Sequence, residues 1–423
     1  MNVIRKVQKM SKFSEMSVEN KEKIEYGFIA VLSVIGYLIL MWIFTGNGIL
    51  SHNTYNSYAL QADSWRMGRL DLLENYSYLE LAQYNGKIYV SFPVFPSYIL
   101  YPLTFIFGAE TPDALLLWTS DVIIVLYLYK LALKFHLSPV ISMLLSLFAM
   151  LGSNVSFTML YPWVWFWAQT LCFMFAVLSI YYAYDGRGGL ALAFWACGVG
   201  CRPMQFIMLP LLLAIIYKIE KHKYPDATLL QMIKNRLTWV IAPFVIGCSY
   251  MILNYLRFDN PLEFGHNYLP EFTEAEYGQF SIVYFKNNLK ILFHIPTFDS
   301  ESRMEIDHFG NLNFMIVSPI VVFALLLIIV LLIKKYRRMA LWCMIIICFC
   351  CIYLVVTMMH KTMGGWGFGN RYSNDILPWI YLICVIGINK SPRTGKYIMP
   401  AFIFSICLNA VGVVAVYNNM YIN

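Results

Sequence analysis

The chain has 423 residues, of which 59% are hydrophobic and only 13% charged, with a net charge of +7. A soluble domain carries about 25% charged residues, so this chain lacks the polar side chains to cover a water-exposed surface. That excludes a soluble enzyme, a nucleic-acid-binding domain, a disulfide-stapled secreted domain and a disordered chain, and leaves a polytopic membrane protein, because apolar runs of membrane-spanning length recur throughout.

Residues 1–26 are polar and hold Arg5, Lys6, Lys9, Lys12, Lys21 and Lys23. Val3, Val7, Met10 and Phe13 can line one face of a short interfacial helix. The run that follows is too long for a signal-peptide core and has no small-residue cleavage site. It reads as a signal anchor with a cytoplasmic N-terminus. Apolar segments are expected at about 27–49, 91–108, 113–135, 138–158, 162–183, 189–217, 237–256, 313–333, 340–359, 372–388 and 397–417. The sequence therefore predicts an all-α polytopic membrane protein of about eleven transmembrane helices.

Basic clusters at 218–236, 334–338 and 389–396 belong in the cytoplasm. Two topologies satisfy them. In the preferred one, 91–108 does not cross and 189–217 is two short spans broken near Arg202-Pro203, which also places Lys130, Lys134, His136 and Arg187 inside. In the other, 91–108 crosses and 189–217 is a single span. Pro93, Pro96 and Pro102 make 91–108 a poor straight helix and suit a juxtamembrane or re-entrant element. The preferred topology gives a cytoplasmic amphipathic segment, 1–26, and one transmembrane domain, 27–423. Its outer loops lie at about 50–112, 257–312 and 360–371, and its C-terminus is outside. A composition rich in Ile, Lys, Asn, Tyr and Phe hints at a bacterial plasma membrane.

No loop on the cytoplasmic side holds a folded domain or a Gly-rich phosphate loop, so any chemistry belongs on the outer face. The ten cysteines fall within apolar spans and show no metal-ligand spacing. The first outer loop holds Asp63, Asp71, Glu74 and Glu80 with Arg66 and Arg69, interleaved with Tyr55, Tyr58, Trp65, Tyr76, Tyr78, Tyr84 and Tyr89. If 55–69 is helical, Asp63 and Arg66 share a face. An acid, a cation and aromatic rings suit a sugar and a phosphate; an interfacial helix anchored by its rings is the plainer reading.

The second loop is rich in acids and holds Arg257, His266, Glu271, Asp299, Arg303 and His308. Its histidines and carboxylates admit a divalent cation, although no tight ligand motif is present and a solvated acidic loop explains the composition equally. The third loop has four glycines in six residues, Gly364, Gly365, Gly367 and Gly369, which let backbone approach a ligand. His360, Lys361 and Arg371 supply positive charge there and Asp375 a carboxylate, a set that fits a phosphate or pyrophosphate headgroup. Two charges lie within apolar runs, Asp121 and Arg202; intramembrane charges are candidate functional groups by default.

Several local patterns together resemble the GT-C superfamily of membrane glycosyltransferases, and more narrowly the bacterial family 39-like glycosyltransferases. They are Ala62-Asp63-Ser64-Trp65 with Gly68-Arg69-Leu70-Asp71-Leu72; Tyr84-Asn85-Gly86-Lys87-Ile88-Tyr89-Val90-Ser91-Phe92-Pro93 and Phe107-Gly108; Gly200-Cys201-Arg202-Pro203; Asn254-Tyr255-Leu256-Arg257-Phe258-Asp259-Asn260-Pro261; and Trp366-Gly367-Phe368-Gly369-Asn370-Arg371-Tyr372. The resemblance implies a GT-C-like fold and inverting transfer from a polyprenyl-phosphate-linked sugar to a cell-envelope glycan or protein on the outer face. In that superfamily a carboxylate follows the first span. Ser51 to Ala62 contain no acid, so Asp63 is the first that fits the general-base role. Arg66, Arg69, Tyr89, Arg202, His266, His360, Lys361, Arg371 and Asp375 are the implied substrate-binding residues. The implied partners are the lipid-linked donor, the acceptor and the bilayer, not nucleic acid; no cofactor is assigned, and a divalent metal is compatible. Two further classes remain open: a transporter or flippase of lipid-linked saccharides, with Asp121 lining a polar pathway, and a non-catalytic envelope-assembly protein.

Overall fold

The computed structural model describes residues 2–46, 50–295, 297–298, 300 and 312–418, with side chains from residue 18 onward. Asp299, Arg303 and His308 of the second loop lie outside the described residues, as do the side chains of Val3, Val7, Met10 and Phe13. The chain is a helical, multi-pass membrane protein. Its main helices are α1 (Asn2–Thr45), α2 (Ser57–Arg66), α3 (Phe95–Phe107), α4 (Asp113–Lys134), α5 (Pro139–Leu151), α6 (Val164–Tyr184), α7 (Gly188–Val199), α8 (Leu209–Lys223), α9 (Ile241–Phe258), α10 (Phe285–Leu292), α11 (Ile320–Ile333), α12 (Arg337–Met358), α13 (Leu377–Lys390) and α14 (Ile398–Tyr417). Among the described residues, seven helical stretches are long and apolar enough to cross a membrane, and four apolar helices are shorter.

The bundle is built around α6 and α13. In α6, 89% of the apolar window is buried, against 6% in the segment Leu237–Phe258. The first therefore meets protein on all sides, and the second faces outward as a lipid-exposed helix does. α13 is buried from Leu377 to Ile388.

The segment 189–217 is broken, for a local reason. Pro203 cannot donate a backbone hydrogen bond and forces the residue before it out of helical geometry. Arg202 accordingly has φ −143° and ψ 104°, between α7 and a 3-10 turn, Pro203–Met208, that leads into α8. The segment 91–108 contains a helix of 13 residues, Phe95–Phe107, which includes two of its three prolines. Pro96 sits in the first turn, where no intrahelical donor is lost, and only Pro102 interrupts the interior. At 1.5 Å per residue the helix is about 20 Å long, short of the roughly 30 Å hydrocarbon core. It packs on α2: Ser97 Oγ donates to Gln61 Oε1 at 2.8 Å, and the Trp65 ring lies against Tyr98 and Tyr101.

Between α2 and α3 the chain makes a β-hairpin, β1 (Leu81–Tyr84) with β2 (Lys87–Val90), antiparallel, Leu81 opposite Val90. The hairpin is not among the elements expected from sequence. Its turn is Asn85-Gly86, with φ of 50° and 73°, the left-handed pair that a two-residue hairpin needs.

One end of the bundle carries the first, second and third loops. At the other end Lys134 pairs with Asp185 at 2.6 Å, Asn389 donates to Phe135 O, Arg236 pairs with Glu220 at 2.8 Å and Lys334 donates to Ser391 Oγ. These contacts gather basic residues of several segments at one end of the bundle.

Candidate functional site

The three loops are tied together by specific contacts. Backbone bonds Ser281 N→Met359 O (2.9 Å) and Lys361 N→Gln279 O (2.9 Å) zip the second loop to the third. The buried Arg257 donates to Val90 O at 3.1 Å, and His266 Nδ1 lies 3.1 Å from Ser91 O, joining the hairpin to the second loop. The Trp163 and Trp366 rings meet at 4.6 Å, where the third loop reaches the head of α6.

At this junction a compact charged centre forms. Arg202 is released by the Pro203 break, and its Nε lies 2.5 Å from Asp375 Oδ2. Asp375 is further held by Tyr353 Oη at 2.6 Å and by Gln169 Nε2 at 3.2 Å. That set neutralises Arg202. Arg371 differs. It is only 7% exposed, yet among the described residues no carboxylate pairs with it and no hydrogen bond from its guanidinium is found. Its guanidinium lies 5.0 Å from the Tyr372 ring, which also carries Arg202 at 4.9 Å. Burial pulls its pKa down from the arginine range, with Tyr372 opposing. Arginine still stays charged, and among the described residues the carboxylates of Glu80 and Asp375 act on it only through space, without an ion pair.

His266 and His360 border this charge, with ring centroids 6.0 Å apart. Burial lowers both to about 4, and the neighbouring cations push the same way. Both are therefore neutral at pH 7 and act as hydrogen-bonding groups. His360 is braced by Gln279 at 3.0 Å and Thr362 O at 2.8 Å. Phe272 and Phe280 wall the same space, their centroids 5.3 and 4.9 Å from the His360 ring. Glu80 faces it from the first loop. Its carboxyl accepts from Trp165 Nε1 at 3.1 Å. Burial raises its pKa, with Trp165 opposing and smaller contributions from Glu271 and Arg371.

Arg202, His266, His360, Arg371 and Asp375 thus stand together. Lys361 turns away, its Nζ donating to Glu271 O. Asp63 and Arg66 do share a face of α2, 2.8 Å apart, but the contacts of Asp63 run to Arg66 and the Gly108 turn at the C-terminal end of α3. Arg69 pairs with Asp71 at 2.6 Å. Arg69 and Tyr89 line a separate open cavity of about 350 Å³ with Gly68, Leu70, Asp71, Lys87 and Leu256. This cavity holds a paired cation, whereas Arg371 has no ion pair among the described residues. Asp121 is fully enclosed within α4 and has no polar partner among the described residues. Among those residues no group of three His, Cys, Asp or Glu side chains is spaced for a metal ion.

Glu80 is the residue that sequence reasoning passed over. It was one of many loop acids, and only its position beside Trp165 and Arg371 sets it apart.

No protein-family model matches the chain, and no curated protein matches it. Among solved structures, the apo crystal structure of the Archaeoglobus fulgidus oligosaccharyltransferase is similar, with 12% identity and a TM-score of 0.46. The alignment covers 93% of this chain and 56% of that one, so the chain spans little more than half its length.

Proposed function

We propose that this membrane protein is a glycosyltransferase that moves a sugar from a polyprenyl-phosphate-linked donor to an acceptor at the loop-bearing face, with its N-terminus cytoplasmic in a bacterial plasma membrane. The observation that carries the reading is the buried guanidinium of Arg371, which has no ion pair or side-chain hydrogen bond among the described residues. A buried charge without a counterion is strongly disfavoured, and a planar guanidinium is suited to phosphate. A lipid-borne phosphate fits the position, at the membrane end of a loop junction walled by aromatic rings.

In this reading the acceptor hydroxyl gives its proton to a carboxylate as its oxygen bonds to the anomeric carbon. The bond from that carbon to the phosphate oxygen breaks on the opposite side of the ring, so configuration inverts. The pair of electrons stays on the departing polyprenyl phosphate, whose charge Arg371 stabilises. The superfamily resemblance suggests Asp63 as the base. The geometry favours Glu80, whose raised pKa strengthens it as a base and which faces Arg371, while Asp63 is engaged by Arg66. Glu80→Gln is expected to cut turnover at least a hundredfold and Asp63→Asn to spare it. The reverse pattern returns the role to Asp63.

Binding tests the phosphate assignment directly. Purified protein in nanodiscs should bind polyprenyl phosphate saturably, and Arg371→Leu should weaken it at least tenfold. Equal binding by both proteins contradicts the assignment.

A further inference from the structure

A second polar centre lies at the head of α4, away from Arg371. The chain leaving α1 turns back there, so His52, Asn53 and Asn56 meet Asp113 at the start of α4. Asp113 is 0% exposed. Its Oδ2 accepts from Asn56 Nδ2 at 2.9 Å and from the Asn53 backbone N–H at 3.4 Å. Its Oδ1 has no partner among the described residues. Neither lysine nor arginine pairs with it there; its one ion-pair contact is His52.

That contact is the informative one. His52 Nδ1 stands 3.2 Å from Asp113 Oδ2, yet it lies off the line of a hydrogen bond and is counted among the buried polar atoms without a partner. In octahedral coordination with bonds near 2.1 Å, adjacent ligand atoms stand about 3 Å apart. A short nitrogen–oxygen contact without hydrogen-bond geometry is the spacing of two ligands that share one ion. Three more buried oxygens close to it in the chain also have no partner among the described residues: Asn56 Oδ1, Ser57 Oγ and Thr111 Oγ1. Buried polar atoms are ordinarily satisfied, and a knot of unsatisfied ones asks for an ion or water.

We propose that the head of α4 is a binding site for a divalent cation of the Mn²⁺/Mg²⁺ class, held by the Asp113 carboxylate and His52 Nδ1, with Asn56 and Thr111 oxygens and water completing the shell. One carboxylate, one imidazole and neutral oxygens suit a hard or borderline divalent ion; soft metals favour thiolates, and none stands here. His52 is partly exposed, with 18% of its side chain open, and gives the ion a route in. The cation neutralises the Asp113 charge. It also pins the first loop to α4. The site is independent of the transferase reading.

The test uses the full-length protein in nanodiscs and Mn²⁺ alone. Electron paramagnetic resonance of free Mn²⁺ should report one saturable site, and pulsed spectra of bound Mn²⁺ should carry ¹⁴N modulation from the imidazole. Asp113→Asn should weaken binding at least tenfold, and His52→Gln should abolish the ¹⁴N modulation. Asp226→Asn, exposed at the opposite end, should change neither. If Asp113→Asn does not fold, His52→Gln at a partly open position carries the test. Absence of saturable binding, or ¹⁴N modulation that persists in His52→Gln, overturns the proposal.

Discussion

Arg202 and Arg371 flank the same tyrosine, but their energetics are opposite. Arg202 is matched by Asp375 in a direct ion pair; Arg371 makes no ion pair among the described residues and meets Glu80 and Asp375 only through space. Replacing Asp375 with Asn leaves Arg202 buried without its counterion, a loss of about 3–5 kcal/mol for a broken buried pair, and the thermal midpoint should fall sharply. Replacing Arg371 with Leu removes a desolvated charge, so the midpoint should hold or rise while donor binding is lost. A fall in both variants would make Arg371 structural. The histidines give a pH signature. Their folded pKa values, about 4, lie below the ordinary value of 6.5. As pH falls below about 6.5 the unfolded chain gains protons before the folded one does, so stability declines until pH reaches about 4. The full effect is roughly 3 kcal/mol per histidine at 1.36 kcal/mol per unit. Unfolding followed across pH 4–7 should show that limb, and His360→Gln should roughly halve its depth, leaving the His266 share. The sequence made Arg202, Arg371 and Asp375 visible as charges at odds with their surroundings. It did not show which cation is paired, because pairing depends on side chains 173 positions apart.

At the scale of elements, the close packing beside Arg202 depends on Gly200. A Cβ there would stand 2.2 Å from the Tyr250 ring and 2.8 Å from Phe95 Cβ, while its carbonyl accepts from Phe95 N at 3.1 Å. Gly200→Ala should push α3 or Tyr250 aside and lower stability by about 1–3 kcal/mol, as overpacking does, read as a lower thermal midpoint. An unchanged midpoint would contradict the packing. The break at Pro203 was legible because proline's geometry acts locally. The hairpin was equally legible, since Asn85-Gly86 between alternating residues is a strong turn signal, but apolar periodicity over a longer window absorbed it into a loop. The helix in 91–108 was obscured for another reason: counting prolines ignores that Pro96 sits in the first turn, where it is harmless.

For the whole molecule, the apolar runs revealed the helical membrane architecture, because hydropathy over a window needs no tertiary information. The convergence of three loops was not readable, since it rests on contacts such as Ser281–Met359 and Arg257–Val90. In the structure α14 ends beside α1, Asn418 Nδ2 donating to Phe44 O, so the last described residue lies at the end of the bundle where α1 finishes. Tags at the two ends of the chain should therefore label from opposite sides of an intact membrane; labelling from one side would refute the topology. The central claim concerns transfer of a sugar from a lipid phosphate bound by Arg371. The direct measurement is transfer of labelled sugar from polyprenyl-phosphate donors to envelope acceptors, in membranes holding wild-type protein or Arg371→Leu at equal levels. The account predicts transfer with wild type and at least a hundredfold less with the variant. Transfer that is absent from both, or equal in both, would contradict it.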